Sequence, residues 1–260
     1  MRIKHSEGFA DMKKLLLITL ITLNSLVFFG CAKEQEKIVV PVAGQAGMIM
    51  DQKNEMIEKL RHDFPKLKAT ELDAFSSIAR YFFVNDIARH RVYDDVSLPI
   101  GSGQASLRFS DMAFVLSELN LQPADRVLEI GTGSGYFAAI LSRICTEVYS
   151  VEIIEYLYEV ARQNLERLKI TNVRLRNGNG LEGYARFAPY DVVIFTAAVA
   201  EIPQAVISQL TSHARVAAPM IDSNQDTSWV IYHLRDEKLE EVSHMRSAIP
   251  PAIIPEAPKK

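Results

Sequence analysis

The sequence predicts an α/β fold with a doubly wound, mostly parallel sheet and additional N-terminal helices. After Arg126, short apolar strands alternate with amphipathic helices, and a glycine-rich turn joins the first of these strands to its helix. The strand at 191–195 is apolar, as expected for a central parallel strand whose two faces are both covered. Strand–helix alternation of this kind favours a parallel sheet with helices on both faces.

Composition limits what the chain is able to form. Its 260 residues are 48% hydrophobic, which is enough for one sizeable core but too little for two large domains. The formal net charge of -3 includes no basic excess that would indicate nucleic acid. The two cysteines, Cys31 and Cys145, do not make a disulfide framework, and no Cys or His spacing indicates a metal. We therefore expect one domain, most simply a monomer, with no metal and no nucleic acid partner.

The beginning of the chain is typical of an exported protein. Two lysines after Met12 precede an apolar run over 15–29, which ends at Gly30 and Cys31. A basic start followed by a short apolar stretch predicts a secretory signal. Glycine before cysteine resembles the processing site of bacterial lipoproteins, in which the cysteine is lipidated. The alternatives are a short uncleaved membrane anchor and a buried helix with a chance Gly-Cys pair.

These features divide the chain into a signal peptide at 1–30, a tether at 31–53, a domain at 54–251 and a proline-rich tail at 252–260. With lipidation at Cys31, we expect a location in the bacterial cell envelope, lipid-anchored and facing the periplasm, with the membrane contacted only through the anchor. A cytoplasmic location is the alternative. Within the domain, the patterns predict helices over 54–64, 69–82, 111–119, 136–144, 155–168 and 203–210. They predict strands over 126–130, 147–151, 173–176, 191–195 and 215–218, and a late hairpin from 228–234 and 239–242.

The glycine-rich segment 129–135 is the most informative part of the sequence. It follows a strand and opens a helix, where free N–H groups are available, and its glycines allow a tight turn and close approach of a ligand. The spacing is Gly-x-Gly-x-Gly, and Tyr136 stands where a dinucleotide-binding loop has its third glycine. This tighter loop favours a ligand group smaller than a pyrophosphate, such as the amino-acid part of S-adenosylmethionine. The candidate cofactor-binding residues here are Glu129, Gly131, Thr132, Gly133, Ser134 and Gly135.

Two later segments extend the candidate cofactor site. Glu152 ends the second strand, where a carboxylate is able to accept hydrogen bonds from both hydroxyls of a ribose. Asn179 and Gly180 follow the third strand, and the Asn179 amide could bind the edge of an adenine. The same run could be simple turn chemistry, since Asn and Gly dominate turns. A glycine turn or a strand-end glutamate alone is common, but their order and separation together favour a nucleoside-type cofactor.

With these residues placed, the chain resembles the protein-L-isoaspartate O-methyltransferase family from about Leu72 to Pro251. The segment 126–136 matches the family's cofactor motif residue for residue, and 148–152 matches its second strand. Further matches lie at 93–95, 98–104, 188–191, 196–198 and 201–205. The resemblance implies a Rossmann-like methyltransferase sheet with S-adenosylmethionine as cofactor. It also implies methyl transfer to the free carboxylate of L-isoaspartyl residues, a repair reaction whose partners are damaged proteins or peptides.

The sequence departs from the family pattern at the acceptor site. After Gln104 the family reads Thr-Ile-Ser, and that serine is its assigned active-site residue, whereas this chain reads Ala105-Ser106-Leu107. Leu107 holds the position of the serine, so the candidate catalytic residue is Ser106, with an ordinary loop serine as the alternative. The family's Gly-Asp-Gly is here Gly-Asn-Gly, around Asn179. A catalytically impaired protein that binds cofactor or peptide without turnover is therefore the alternative function, and the glycine spacing disfavours a nicotinamide oxidoreductase.

Overall fold

The computed structural model describes residues 43–247 and 249–250, with side chains from Ile49 onward. The predicted signal peptide, Cys31 and the tail at 252–260 lie outside the described residues. Those that are described belong to one compact unit that begins at Ala43. Among them, no helix combines the length and the apolarity that crossing a bilayer requires.

Two helices precede the sheet, α1 at Ala43–Asp63 and α2 at Ala69–Ser77. Helix α1 begins earlier than the helix predicted over 54–64, since residues 43–53, which fall within the predicted tether, are also helical. This stretch contains Ala, Met and Gln, which favour helix, and no proline, although Gly44 and Gly47 are unfavourable in a helix.

Helix α2 is shorter than the predicted 69–82. It stops where Ile78 adopts an extended conformation, and the chain continues through 3₁₀ turns at Arg80–Phe83 and Asp86–Arg91. This turn away from the helix axis buries Arg80 completely.

A seven-stranded sheet forms the centre of the fold, with strand order β5-β4-β3-β6-β7-β8-β9. The strands are β3 Arg126–Ile130, β4 Glu147–Glu152, β5 Val173–Asn177, β6 Tyr190–Phe195, β7 Leu210–Ile221, β8 Thr227–Arg235 and β9 Lys238–Ser247. Strands β3 to β7 are parallel, whereas β8 and β9 add the predicted late hairpin antiparallel to β7. A separate two-stranded hairpin, β1 Pro99–Gly101 with β2 Gln104–Ala105, precedes the sheet. The predicted doubly wound α/β fold is confirmed.

The helices around the sheet are α3 Phe109–Leu119, α4 Tyr136–Ile144, α5 Glu155–Arg167 and the single turn α6 Gln204–Ile207. The last is shorter than the predicted 203–210, because Leu210 already pairs with Tyr190 as the first residue of β7. Short 3₁₀ turns at Gly180–Glu182 and Ala185–Phe187 complete the connections.

The core divides into two layers, one on each face of the sheet. On one face Val127, Val148 and Val192 pack against the apolar sides of α2, α3 and α4. On the other face Leu128, Tyr149 and Val193 pack beneath the short turns and α6. Because both faces are covered, the central strands are mostly apolar, and the polar groups of the site lie at or near their carboxyl ends.

Candidate cofactor and acceptor site

A cavity of about 330 Å³ opens at the carboxyl ends of β3, β4 and β6. Ligand sites of doubly wound sheets lie at this edge, where the loops after neighbouring strands diverge. One wall consists of predicted cofactor-binding residues, namely Glu129, Gly131, Thr132, Gly133, Ser134, Glu152, Asn179 and Gly180. A second wall comes from the segment around the β1–β2 hairpin, with Ser97, Ile100, Gln104, Ala105, Ser106 and Leu107. The cavity therefore has two chemically different sides.

The glycine loop requires its glycines for different reasons. Gly131 has φ +101°, and a Cβ built there would lie 2.2 Å from Oγ1 of Thr196. That hydroxyl donates to the Gly131 carbonyl at 2.6 Å, which holds the turn against the end of β6. Gly135 does not line the cavity: it is the N-cap of α4, at φ +90°, and packs closely on Ala161. The loop thus combines a ligand wall with a tight helix–helix contact.

Glu152 is held by the glycine loop and by its own strand end. Its two carboxylate oxygens accept hydrogen bonds from the N–H groups of Gly133, at 2.7 Å, and Ile154, at 2.9 Å. Burial raises the pKa of this carboxyl, and the two N–H groups oppose that rise. With one backbone bond to each oxygen, the carboxylate keeps free lone pairs in a fixed orientation, as binding of two adjacent hydroxyls requires.

Glu129 lies at the floor of the cavity with no solvent exposure. Its Oε2 accepts a hydrogen bond from the Ser150 hydroxyl at 2.5 Å, and Ser150 in turn contacts the Thr132 hydroxyl at 2.5 Å. Burial, which outweighs the Ser150 bond, raises the pKa of Glu129 to about 8, and nearby Glu152 adds to the rise. Its Oε1 has no hydrogen-bond partner among the described residues. A buried polar atom left without a partner in this way is suited to hydrogen-bond a polar group of a ligand.

The remaining candidate cofactor residues line the cavity and also make hydrogen bonds or close packing contacts that support the fold. The Ser134 carbonyl accepts a hydrogen bond from the buried amide of Asn164 at 2.9 Å. Asn179 uses its side-chain oxygen to cap the following 3₁₀ turn, through Leu181 N–H at 3.0 Å, so the turn role is realised. Its adenine contact remains a prediction. Gly180 has no room for a side chain, since a Cβ would lie 2.4 Å from a methyl of Ile130.

The acceptor wall contains the two residues that depart from the family's Thr-Ile-Ser segment. Leu107 and Ala105 line the cavity, and the predicted catalytic residue Ser106 lies between them. The Ser106 hydroxyl accepts hydrogen bonds from the Arg80 guanidinium at 2.7 Å and from Leu98 N–H at 3.3 Å. The position of Ser106 is therefore determined by groups outside the cavity, and its role in the reaction remains a prediction.

Sequence reasoning missed Arg80, Ser150 and Thr196. Ser150 and Thr196 lie in segments that match the family, at or near the carboxyl ends of strands, but no role was predicted for them. Arg80 lies in a predicted helix with no motif. Asp111 caps the start of α3, and Cys145 and Trp229 are buried packing residues. Within the part of the chain that the structure describes, no group of His, Cys, Asp or Glu side chains could hold a metal ion.

Comparisons with known proteins agree with this geometry. The family model for protein-L-isoaspartate(D-aspartate) O-methyltransferase matches residues 51–249. The chain belongs to this family. A protein-L-isoaspartate O-methyltransferase from Pseudoalteromonas translucida is 42% identical over 161 residues, which are 62% of this chain and 76% of the relative. One from Vibrio atlanticus is 38% identical over 179 residues, which are 69% of this chain and 86% of the relative.

Solved structures of the isoaspartate methyltransferase family show the same fold. One protein-L-isoaspartate O-methyltransferase superposes with a TM-score of 0.70 at 28% identity, covering 77% of this chain and 65% of that chain. Another, from Plasmodium falciparum and solved with S-adenosyl-L-homocysteine, has a TM-score of 0.65 at 17% identity, covering 77% and 97%. The second likeness concerns the fold alone.

The residues of the cavity fit the family's cofactor, S-adenosylmethionine. The glycine loop leaves space that side chains would fill, Glu152 presents oriented lone pairs, and the open Oε1 of Glu129 lies at the floor. A cavity of this size lies within the range of small-molecule sites, and its mixture of apolar walls with few polar groups is typical of them.

Proposed function

We propose that this chain transfers a methyl group from S-adenosylmethionine to the free carboxylate of L-isoaspartyl residues in damaged proteins, as its family name describes. The observation that carries the proposal is the two-sided cavity. The glycine loop and Glu152 form one wall, and the hairpin segment that matches the family's acceptor region forms the other. The two reactants would thus meet in one enclosed space.

The reaction requires mainly that the protein place the cofactor and the acceptor carboxylate correctly. When bound, S-adenosylmethionine supplies a methyl group on a positively charged sulfur. The acceptor carboxylate is already ionised at neutral pH, so no general base is required. The chain's residues therefore act by orientation and by exclusion of water, which together account for large rate effects in reactions of this kind. Glu152 fixes the cofactor side, and the segment ending at Leu107 shapes the acceptor side.

Two measurements on purified protein test the proposal. Calorimetry with S-adenosylmethionine and S-adenosylhomocysteine measures cofactor binding, and transfer of a labelled methyl group measures the reaction. The acceptor is an isoaspartyl peptide, with the aspartyl peptide of the same sequence as control. We expect binding of both nucleosides and transfer to the isoaspartyl peptide alone. Binding without transfer to either peptide would contradict the enzymatic function, and absence of binding would contradict the cofactor site as well.

A second function is favoured by one observation, the presence of Leu107 where the family has its serine. An apolar side chain there removes a hydroxyl from the acceptor wall, so the protein could bind cofactor or peptide without turnover. Binding of S-adenosylhomocysteine together with an isoaspartyl peptide, but no methyl transfer over long incubation, would select this alternative.

We also propose that the domain is anchored in the bacterial cell envelope by a lipid on Cys31, faces the periplasm and acts as a monomer. The basic start, the apolar run and the Gly-Cys pair support the anchor. Cell fractionation is expected to place the wild type in membranes and the Cys31→Ser variant in the soluble fraction. Equal soluble recovery of both would refute the anchor and favour a cytoplasmic location. Light scattering on the domain purified without the signal tests the monomer.

A further inference from the structure

Arg80 is fully buried, and every hydrogen bond of its guanidinium in the described part of the chain goes to one segment, residues 92–107. Its Nη2 donates to the Ser106 hydroxyl at 2.7 Å, to the Leu107 carbonyl at 2.8 Å and to the Val96 carbonyl at 2.9 Å. Its Nη1 makes longer bonds to the carbonyls of Val92 and Asp94, at 3.4 and 3.3 Å. All the acceptors are carbonyl or hydroxyl oxygens, and none is a carboxylate.

Burial of a charge without a carboxylate partner is costly, and burial indeed lowers the pKa of Arg80. The five hydrogen bonds and the ring of Phe109, 4.6 Å from the guanidinium carbon, offset that cost. Because a planar guanidinium offers several donors in fixed directions, it is able to join chain segments that a lysine would not. Arg80 thus ties the beginning of segment 92–107 to its end.

The segment that Arg80 joins is the acceptor wall of the cavity. Between its two tied ends it forms the β1–β2 hairpin, and Ile100 reaches the glycine loop, 3.0 Å from a Cβ built at Gly133. The ends also meet through Ser106 N–H, which donates to the Leu98 carbonyl at 2.8 Å. A substitution of Arg80 would therefore alter the structure of the cavity wall, although Arg80 itself does not line the cavity.

The hydrogen bonds of Ser106 have a chemical consequence. A serine hydroxyl has two acceptor lone pairs and one donor hydrogen. Arg80 and Leu98 N–H occupy the acceptor side of this hydroxyl, so only its hydrogen is left to donate. Ser106 is also one of the residues that line the acceptor half of the cavity, where a negatively charged oxygen of the substrate would bind. A hydrogen bond from a hydroxyl to an anionic oxygen is stronger than a hydrogen bond between two neutral groups.

We propose that Arg80 is a positioning residue that orients Ser106 as a hydrogen-bond donor to the carboxylate of the methyl acceptor. This inference rests on the proposed function, because it assigns the donor for the substrate of that reaction. In this chain Ser106 would supply the hydroxyl that Leu107 does not.

Methyl-transfer kinetics with saturating cofactor test the donor role. For Ser106→Ala and Arg80→Met we expect KM for the isoaspartyl peptide to rise about tenfold or more, as loss of a hydrogen bond to a charged group implies. The affinity for S-adenosylhomocysteine should change far less than KM, because neither side chain hydrogen-bonds to the glycine loop or to Glu152. The double variant should be no worse than Arg80→Met, since both changes remove the same interaction. Unchanged kinetics in Ser106→Ala would overturn the donor role.

Arg215→Met is the matched control. Arg215 also donates to backbone carbonyls, of Leu119 and Asn120, and to Asp125, but near the amino ends of the strands, where it does not line the cavity. We expect this variant to be less stable and to keep the wild-type KM. An equal rise of KM in Arg215→Met would show that general destabilisation explains the effect and would overturn the positioning role.

Hydrogen exchange separates this inference from the proposed function, because it needs no activity. In Arg80→Met, peptides covering 92–107 should exchange faster than in the wild type, while those covering 173–195, which accept no hydrogen bond from Arg80, should not. Unchanged exchange over 92–107, or equal acceleration over both regions, would overturn the role of Arg80. A wild type that transfers no methyl group would instead contradict the proposed function, and the exchange result would still decide whether Arg80 orders this segment.

Discussion

Replacement of Glu129 by glutamine should change how the stability of the protein depends on pH. Glu129 is fully buried, and its pKa is raised from 4.5 to about 8, mainly by burial. The folded protein therefore holds a proton on this group over a pH range in which the unfolded chain has lost it. Glutamine resembles the neutral carboxyl in size and does not titrate. Glu129→Gln therefore removes the difference in bound protons that this group makes between the folded and unfolded states.

The expected size follows from the two pKa values. The group's contribution to stability is complete below pH 4.5 and is lost as the pH rises to about 8, because the folded state binds the extra proton. The loss amounts to about 1.4 kcal/mol per pH unit, and so about 4 kcal/mol between pH 5 and pH 8. Relative to the variant, the wild type should lose that free energy of unfolding over this range.

Urea unfolding of the wild type and Glu129→Gln at pH 5, 6, 7 and 8 measures the difference directly. The free energy of unfolding of the wild type should approach or fall below that of the variant as the pH rises. Ser142→Ala is a suitable control, since it changes a hydroxyl bonded to a helix carbonyl and should have the wild-type pH dependence. Parallel pH curves for wild type and Glu129→Gln would show that Glu129 is ionised in the folded protein, and the reasoning would fail.

Three further predictions concern the site and its support. Gly131→Ala should weaken S-adenosylhomocysteine binding, measured by calorimetry, about tenfold or more, because the added Cβ meets Thr196. The control is Gly103→Ala, a position also at positive φ but with nothing within 4 Å of the added Cβ. It should lower the free energy of unfolding by only about 1 kcal/mol and leave the affinity unchanged. Leu107→Ser should raise kcat/KM for an isoaspartyl peptide about tenfold by adding a donor to the acceptor wall, and no rise would mean that Ser106 already suffices. Trp229→Phe should lower the free energy of unfolding by about 1–3 kcal/mol, because the buried ring loses volume and its bond to Asp111, and a urea midpoint equal to that of the wild type would contradict this.

The local sequence pattern was sufficient to predict elements whose bounds are set by neighbouring residues. Strand β3 and helix α4 were predicted with the bounds that the structure has, because an apolar run, a glycine turn and a helix follow one another without competing signals. Pattern was less successful where tertiary contacts decide. The predicted helix at 203–210 is cut to one turn by pairing of Leu210 with Tyr190, and the helix predicted at 69–82 is broken so that Arg80 enters the core.

The candidate site divides in the same way. The cofactor wall lies mostly in two short sequence segments, so spacing alone indicated Glu129, the glycines and Glu152. The acceptor wall depends on contacts between distant residues, such as Arg80 with Ser106, and the sequence has no periodic pattern that would bring them together.

By itself, the sequence determined the doubly wound fold, the glycine loop and the strand-end glutamate, because each follows from residues that are near neighbours in the chain. Only the tertiary structure decided that Glu129 is buried with one oxygen free, that Thr196 closes the Gly131 turn, and that a buried arginine sets the direction of the Ser106 hydroxyl. Burial and long-range hydrogen bonds depend on which segments the fold brings together. Such contacts leave no spacing in the sequence from which they could be predicted.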